Sequence, residues 1–457
     1  MNRFLITFFS KLCPFVLLLS FNFLFSQEKI GVTTDNFLPV KQVGVNPALI
    51  VDQKFFLSVN VVGAHIFGRS NVINYANSSL LPKTDIGDPI FDEPNKFARG
   101  YIAAEVSGPS ATLNYKKNAF GIHTAIRGYG SMNRVPSILV ELINDENTEQ
   151  VSDGTYIMKN GRFKTMSWGE IGVSYGRILR SREYELISAG VTINRLYGIQ
   201  QSSLNIKNGT VNVVQSKGLI GQAEGSYSYT DAQFGSGKGW GMDVGITYKG
   251  MFDNVNKYLP HSRNGGCKVA DYRYRIGVSL MDLGYIRYRD DARYAKLQEQ
   301  DTLLIDDLFE GNEEVLGKDG SKYTAFLPTA LSIQGDFYLA DYVYLNARIN
   351  QRLSFRNSFG VERSNLIAVA PRFESRWITA SIPLTLSNYI VPQAGFYLRL
   401  GYLAIGSDHI LPFIRRGDLR AVDLYFNLNF FIRNSPECRV VDNRSIPWLC
   451  PSWGKVK

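Results

Sequence analysis

From about Phe55 onward the chain returns repeatedly to stretches of about ten residues in which apolar and polar side chains alternate. The pattern is plainest near the end. Val422, Leu424, Phe426, Leu428 and Phe430 fall on one side of an extended backbone, and Asp423, Tyr425, Asn427 and Asn429 on the other. Successive side chains of a strand point to opposite faces, so this spacing gives one greasy face and one polar face. A tilted strand of about ten residues crosses a bilayer. Lipid offers no hydrogen bonds to a sheet edge, so such strands must close on themselves. After the first 26 residues no run approaches the roughly 18 apolar residues that a membrane helix needs. The expected fold is therefore all-β: a single transmembrane antiparallel β-barrel over residues 54–432, apolar side to lipid and polar side to a lumen.

The first 26 residues agree with that address. Arg3 and Lys11 precede the apolar run from Pro14 to Phe25, and polar sequence follows Ser26 and Gln27. This is the layout of a secretory signal, with cleavage expected near Ser26. Cys13 is not expected to carry lipid, because Ser10-Lys11-Leu12 lacks the small residue that precedes a lipidated cysteine. Composition adds 25 Tyr, 28 Phe and 41 Gly, which suits aromatic girdles at the two membrane surfaces and glycines at turns and crowded lumen positions. The formal charge of +9 falls to +7 without Arg3 and Lys11. That excess could attract lipopolysaccharide phosphates or an anionic solute, but scattered Lys and Arg are usually just solvated. No basic cluster is interleaved with stacking aromatics, so nucleic acid is not an expected partner.

Cys267, Cys438 and Cys450 lie beyond the signal, and Cys438 with Cys450 could close a loop within the tail at 433–457, leaving Cys267 odd. The histidines, His65, His123, His261 and His409, are far apart and no CxxC pair exists, so neither a metal site nor a cofactor is expected. Asp306, Asp307, Glu310, Glu313 and Glu314 crowd the interval 289–323, but without the spacing of a calcium loop; a solvated external loop is expected there.

Strands are expected at 54–67, 101–115, 119–130, 164–179, 184–198, within 204–229, and at 239–250, 271–288, 325–339, 342–355, 365–375, 377–387, 393–405 and 420–432, with a short loop helix at 136–144. That makes fourteen, an even number as bacterial barrels require. One conflict stands in this count. If both termini are periplasmic, short turns follow even-numbered strands, yet Leu339-Ala340-Asp341 follows the ninth. A miscount between Tyr197 and Tyr323 is expected, and twelve or sixteen strands stay open.

Several phrases resemble a known group: Asn46-Pro47-Ala48, Ser107-Gly108-Pro109-Ser110, Gly241-Met242-Asp243-Val244-Gly245, Met281-Asp282-Leu283-Gly284 and Gly406-Ser407-Asp408-His409. In this order they resemble the DUF5723 family of Bacteroidetes outer-membrane proteins. More distantly the chain is similar to FadL-like barrels, which include long-chain fatty-acid transporters and the type IX secretion barrel PorV. The resemblance implies that residues 27–53 form a small N-terminal hatch, with Asn46, Pro47 and Ala48 in a plug at 42–50. A simple turn into the first strand is the other reading of that segment. The chain departs from common barrels by extending past its last strand, so that Phe430 or Phe431 would serve as an internal version of the usual terminal aromatic.

A charge facing lipid costs a few kcal/mol at the midplane, so the strand charges Arg127, Arg195, Asp243, Arg273, Arg275, Asp336, Arg348, Arg352, Arg399 and Asp423 are expected inside. Arg348, Arg352, Arg399, Arg127, Arg273 and Arg275 are the candidate lumen or ligand contacts. An internal ion-pair network that rigidifies the barrel is the competing role for them. The expected function is passive transport or binding of a hydrophobic or amphipathic molecule; the alternative is a non-transporting scaffold for secretion or envelope machinery. The chain carries no GxSxG elbow and no readable Ser-His-acid set, so no enzymatic activity is expected. A pair of soluble β-sandwiches remains the structural alternative.

Overall fold

Fourteen antiparallel strands take up the alternation and close on themselves in the computed structural model, which describes residues 28–51, 53–78, 89–91, 97–139, 154–214, 217–289, 291–297, 303–304, 320–354, 359–387, 389, 391–414 and 417–438. The first seven are β1 Leu57–Ser70; β2 Phe97–Ser107 continued by Ser110–Tyr115; β3 Asn118–Pro136; β4 Gly154–Arg182; β5 Glu185–Val214; β6 Lys217–Thr230 continued by Gly237–Met251; and β7 Tyr272–Tyr288 continued by Ala292–Leu297 and Leu303–Leu304. The rest are β8 Tyr323–Phe326 continued by Ala330–Ala340; β9 Val343–Arg352; β10 Leu366–Glu374; β11 Ile378–Ser381 and Leu384–Ser387; β12 Val391–Ala394 and Phe396–Leu400; β13 Leu403–Ser407; and β14 Ala421–Ile432. Each pairs with the next, and β14 returns to β1 from Leu57↔Ile432 to Arg69↔Ala421, so no edge is left open.

The count of fourteen hides two compensating differences from the sequence reading. The expected strand within 204–229 is not separate: residues 201–214 prolong β5, and 217–230 are the upper half of β6. The expected strand at 393–405 is two, because Gly401 adopts a positive φ of 57° and turns the chain between β12 and β13. With both corrections the tight turns at 116–117, 183–184, 341–342, 375–377 and 401–402 all follow even-numbered strands. Lys116, Glu183 and Tyr342 also carry positive φ, as two-residue hairpins require. The interval after Arg289 is not strand-free either, since 292–297 and 303–304 continue β7 against β6. The acidic group at 306–314 and the signal at 1–26 lie outside the described residues, as does the expected loop helix beyond a helical turn at 137–139.

On the outer wall, Ile102, Val106, Ile126, Ile171, Val173, Ile193, Val244, Ile246, Ile276 and Leu424 are exposed and apolar. A soluble fold would bury such a surface; a bilayer covers it. Along β6 the belt runs from Trp240 to Tyr248, roughly 27 Å of strand and roughly 20 Å of height once tilted. At the short-turn end Tyr402 lies 4.9 Å from Phe430 and Phe252 4.8 Å from Tyr338, forming an aromatic girdle. The inner faces are polar at mid-height and apolar above, where Met166, Trp168, Leu196, Ile286, Tyr288 and Tyr323 pack together.

The cysteine pairing differs from expectation. Cys438 bonds Cys267, in the turn at 252–271 after β6, and not Cys450, which lies outside the described residues. The short helical segment at 436–438 brings Cys438 back under the mouth, where Glu437 meets Ser262 and the Arg263 backbone N–H. Proteolysis of unreduced protein followed by mass spectrometry should yield a peptide joining Cys267 to Cys438. A Cys438–Cys450 peptide in its place would contradict this topology.

Candidate functional site

The lumen is occupied by the chain's own N-terminal segment. Helices α1 (Ile30–Thr34) and α2 (Pro39–Val43) and a 3-10 turn (Pro47–Ile50) lie inside the barrel, nearly all of it buried. The turn forms because Asn46, extended at φ −152°, accepts the Ala48 N–H on its side chain at 2.9 Å, while Pro47 fixes the first position. It rests in a cradle of inward glycines on five consecutive strands: Gly121, Gly176, Gly190, Gly245 and Gly277 of β3 to β7. Gly176 pairs with Gly190, and Gly190 with Gly245. A Cβ on Gly190 would stand 2.4 Å from the Pro47 carbonyl carbon, and one on Gly245 2.0 Å from Asn46 Oδ1. Side chains then fix the hatch backbone: Ser279 Oγ donates to the Val45 carbonyl at 2.6 Å and Ser188 Oγ to that of Ala48 at 3.2 Å.

Charge sets the second layer. Asp35 of the hatch accepts from Arg399 Nε at 2.8 Å and from the Tyr397 hydroxyl at 2.7 Å. The other Arg399 nitrogens reach Thr379 Oγ1 and the Ser375, Arg376 and Gly401 carbonyls, so this guanidinium is fully engaged. Asp336 receives both Arg275 and Arg372 at 3.0 Å, with the Tyr272 hydroxyl at 2.6 Å. Arg372 also meets Glu374 at 2.7 Å, and Asn36 of the hatch bonds both Glu374 and Arg275. Higher up, Asp282 holds Arg127 at 2.8 Å and Arg363 at 2.7 Å, and Arg363 reaches Glu28 at 3.4 Å. Arg363 belongs to the loop after β9, so loop and hatch are joined through one guanidinium.

Part of the lumen is left unfilled. A cavity of about 120 Å³ lies between the hatch and strands β1 to β4. Its charged lining is mixed, with Lys29, Lys41, Arg127 and Arg363 beside Glu28, Glu105 and Glu170, and Val40, Val43 and Val45 are its apolar floor. Glu105 holds Lys29 at 2.6 Å and Lys41 at 3.7 Å. Burial pushes the Lys41 ammonium down to about 8, against the pull of Glu105. The lining also includes Ala104 and Ile122, whose side chains face outward, so the cavity abuts the wall between β2 and β3. The ladder bulges there, bridged by the Gly108 N–H donating to the Thr124 carbonyl at 2.9 Å. Ser107↔Ala125 is followed by Ala111↔Ile122, with three residues of β2 facing two of β3. Pro109 has no N–H to give, and the Thr124 N–H is taken by Ser110 Oγ at 3.3 Å instead of by backbone.

The sequence profile of a family of unknown function, DUF5723, matches residues 47–408, from the hatch turn to just past β13. The chain belongs to that family. No curated protein matches it in sequence. Among solved structures, the DUF5723 chain is similar to the toluene transporter TbuX of Ralstonia pickettii, at 10% identity over 87% of this chain and 94% of that one, with a TM-score of 0.43. It is also similar to the toluene transporter TodX of Pseudomonas putida, at 9% identity over 84% and 90%, TM-score 0.38. A FadL homologue of Pseudomonas aeruginosa matches at 10% identity over 87% and 95%, TM-score 0.31.

Of the six arginines singled out in sequence, this DUF5723 barrel ties Arg399, Arg127 and Arg275 to carboxylates, and of the three only Arg127 lines the cavity. Arg348 points inward and donates to Thr33 Oγ1 at 2.8 Å, with its Nε left without a partner. Arg352 shares its face but sits at the rim, on Glu362 at 3.1 Å. Arg273 does not face the lumen. The register shift at Gly250/Met251 swings it outward over the Phe252 ring at 5.4 Å, where its charge reaches the membrane surface. Arg195 likewise shares the outer face of Val191 and Ile193. Asp35, Arg363, Arg372, Glu374 and the glycine cradle were missed. Arg372 and Glu374 were open to discovery by parity, since they continue the inward row of Ala368 and Ala370.

Two outcomes check this arrangement. Gly190→Ala should force the hatch turn away from β5 and lower stability by about 1–3 kcal/mol, read by urea unfolding in detergent. Asp336→Ala, which takes from buried Arg275 its carboxylate and from Arg372 one of two, should cost more, about 3–5 kcal/mol.

Proposed function

We propose that this DUF5723 barrel is exported to the outer membrane of a Gram-negative cell and there passively admits or binds a small amphipathic molecule. The cavity that meets the wall near the bulge at Gly108 and Pro109 carries this reading. Its wall side is apolar at Ile122 and Ala104, and its inner end is polar, with Lys29, Lys41 and Arg127 among Glu28, Glu105 and Glu170. A molecule with an apolar body and a polar or anionic head matches that gradient. The volume, about 120 Å³, is close to the roughly 150 Å³ apolar cavity that takes up benzene, so it would hold part of such a molecule at a time. The centre of the lumen is packed by hatch and ion pairs, which favours the lateral route over a straight axial one. Arg127, held by Asp282, is the sequence-predicted arginine placed to meet a head group there.

Liposomes containing the purified barrel should take up a small fluorescent amphiphile faster than empty liposomes. Ile122→Trp, whose ring would fill the wall side, should slow uptake several-fold. Equal rates in empty and loaded liposomes, with the barrel shown to be folded, would remove transport and leave the docking scaffold as the reading to pursue.

A further inference from the structure

The outer wall of β5, β6 and β7 carries charge where a barrel usually avoids it. One row across these strands and into β8 reads Tyr197, Lys238, Arg287 and Thr324; the row beneath reads Arg195, Trp240, Tyr285 and Phe326. Three cations and four aromatic rings stand in these two rows, and no carboxylate. Arg195 lies over Trp240 at 4.9 Å and Tyr197 at 5.7 Å, and Arg287 over Tyr285 at 5.7 Å. Lys238, Trp240, Tyr285 and Arg287 are exposed. Arg195 has one hydrogen bond, to the Gly239 carbonyl at 3.2 Å, and none of the three cations makes an ion pair among the described residues.

Two features mark this as a binding surface. Lys238 and Arg287 are direct cross-strand partners, an arrangement that repels unless an anion lies between them. With adjacent strands about 4.8 Å apart and alternate residues about 7 Å apart along each, the backbone positions of all three cations fall within about 12 Å, a span that their long side chains can close around one phosphate with its attached sugar. The height is also specific. Directly below come Ile193, Met242 and Val244 of the apolar belt, and the patch lies at the end of the barrel away from the tight turns. That is the headgroup level of the outer leaflet, where aromatic rings favour the interface and arginine forks fit phosphate oxygens.

We propose that this patch binds the phosphate group of an outer-leaflet glycolipid, with Arg195, Lys238 and Arg287 around the phosphate and Trp240 and Tyr285 against the sugar and upper acyl carbons. The site lies on the lipid side of the wall, apart from the cavity, so its occupancy and the uptake reading stand or fall separately.

The test uses the full chain in detergent, titrated with phosphorylated lipid A and, in parallel, with the same lipid after removal of its phosphates. Wild type should bind the phosphorylated form at least ten-fold more tightly. The triple variant Arg195→Gln, Lys238→Gln, Arg287→Gln should lose that preference. A control removing three exposed charges at the opposite end of β4, Arg177→Gln, Arg180→Gln and Arg182→Gln, should keep it. Heat-modifiable migration on a detergent gel certifies each fold; should the triple variant fail this, Lys238→Gln alone carries the test, with a several-fold loss expected. Undiminished binding by the site variant, equal loss in the control, or equal binding of the dephosphorylated lipid would each overturn the proposal.

Discussion

Pairing between buried guanidiniums and carboxylates governs this barrel, and part of the negative charge comes from a segment that is not in the wall. Arg399 of β12 depends on Asp35, and Arg363 partly on Glu28, both in the N-terminal segment. A cation left alone in a water-poor interior costs several kcal/mol. The hatch is therefore a member of the fold, and the wall around it would be electrostatically incomplete without it. The same reasoning explains why so few inward arginines are available to a visitor: most are already answered.

Shape fixes what charge leaves loose. The ion pairs set the depth and rotation of α1, while the glycines of β3 to β7 admit only a backbone pressed close, as the Pro47 turn is. Gly245 and Gly277 stand on either side of the Asn46 amide, which also reaches the Ile246 carbonyl at 3.4 Å. The residue that caps the turn thus also anchors it to the wall. Beside β2 and β3 the hatch is held through Glu105, which pairs with Lys29 and Lys41, and the cavity remains around those pairs.

Much of the fold was legible in the sequence, because a two-residue period survives anything that happens at the strand ends. β14 has the facing that Val422 to Phe430 announce. What periodicity cannot supply is where one strand yields to the next. β5 and β6 run far beyond the membrane, so their upper halves resembled extra strands, and the β12–β13 turn is marked by a single glycine, Gly401, among apolar neighbours. Parity failed for Arg195 because a charge was taken to imply the lumen, whereas at the membrane surface a long cation can lie along aromatic rings. The ion-pair partners and the glycine cradle depend on register between strands, which is a property of the closed sheet and not of any one segment. The tail cysteine was assigned by nearness in sequence, and closure of the barrel brought a more distant partner to it.

That last bond has a mechanical meaning. Its two sulfurs are supplied by the hairpin between β6 and β7 and by the stretch after β14, roughly half a circumference apart. The covalent tie therefore runs across the mouth at the short-turn end, and it clamps the stretch that follows β14 to a hairpin on the far side of the barrel.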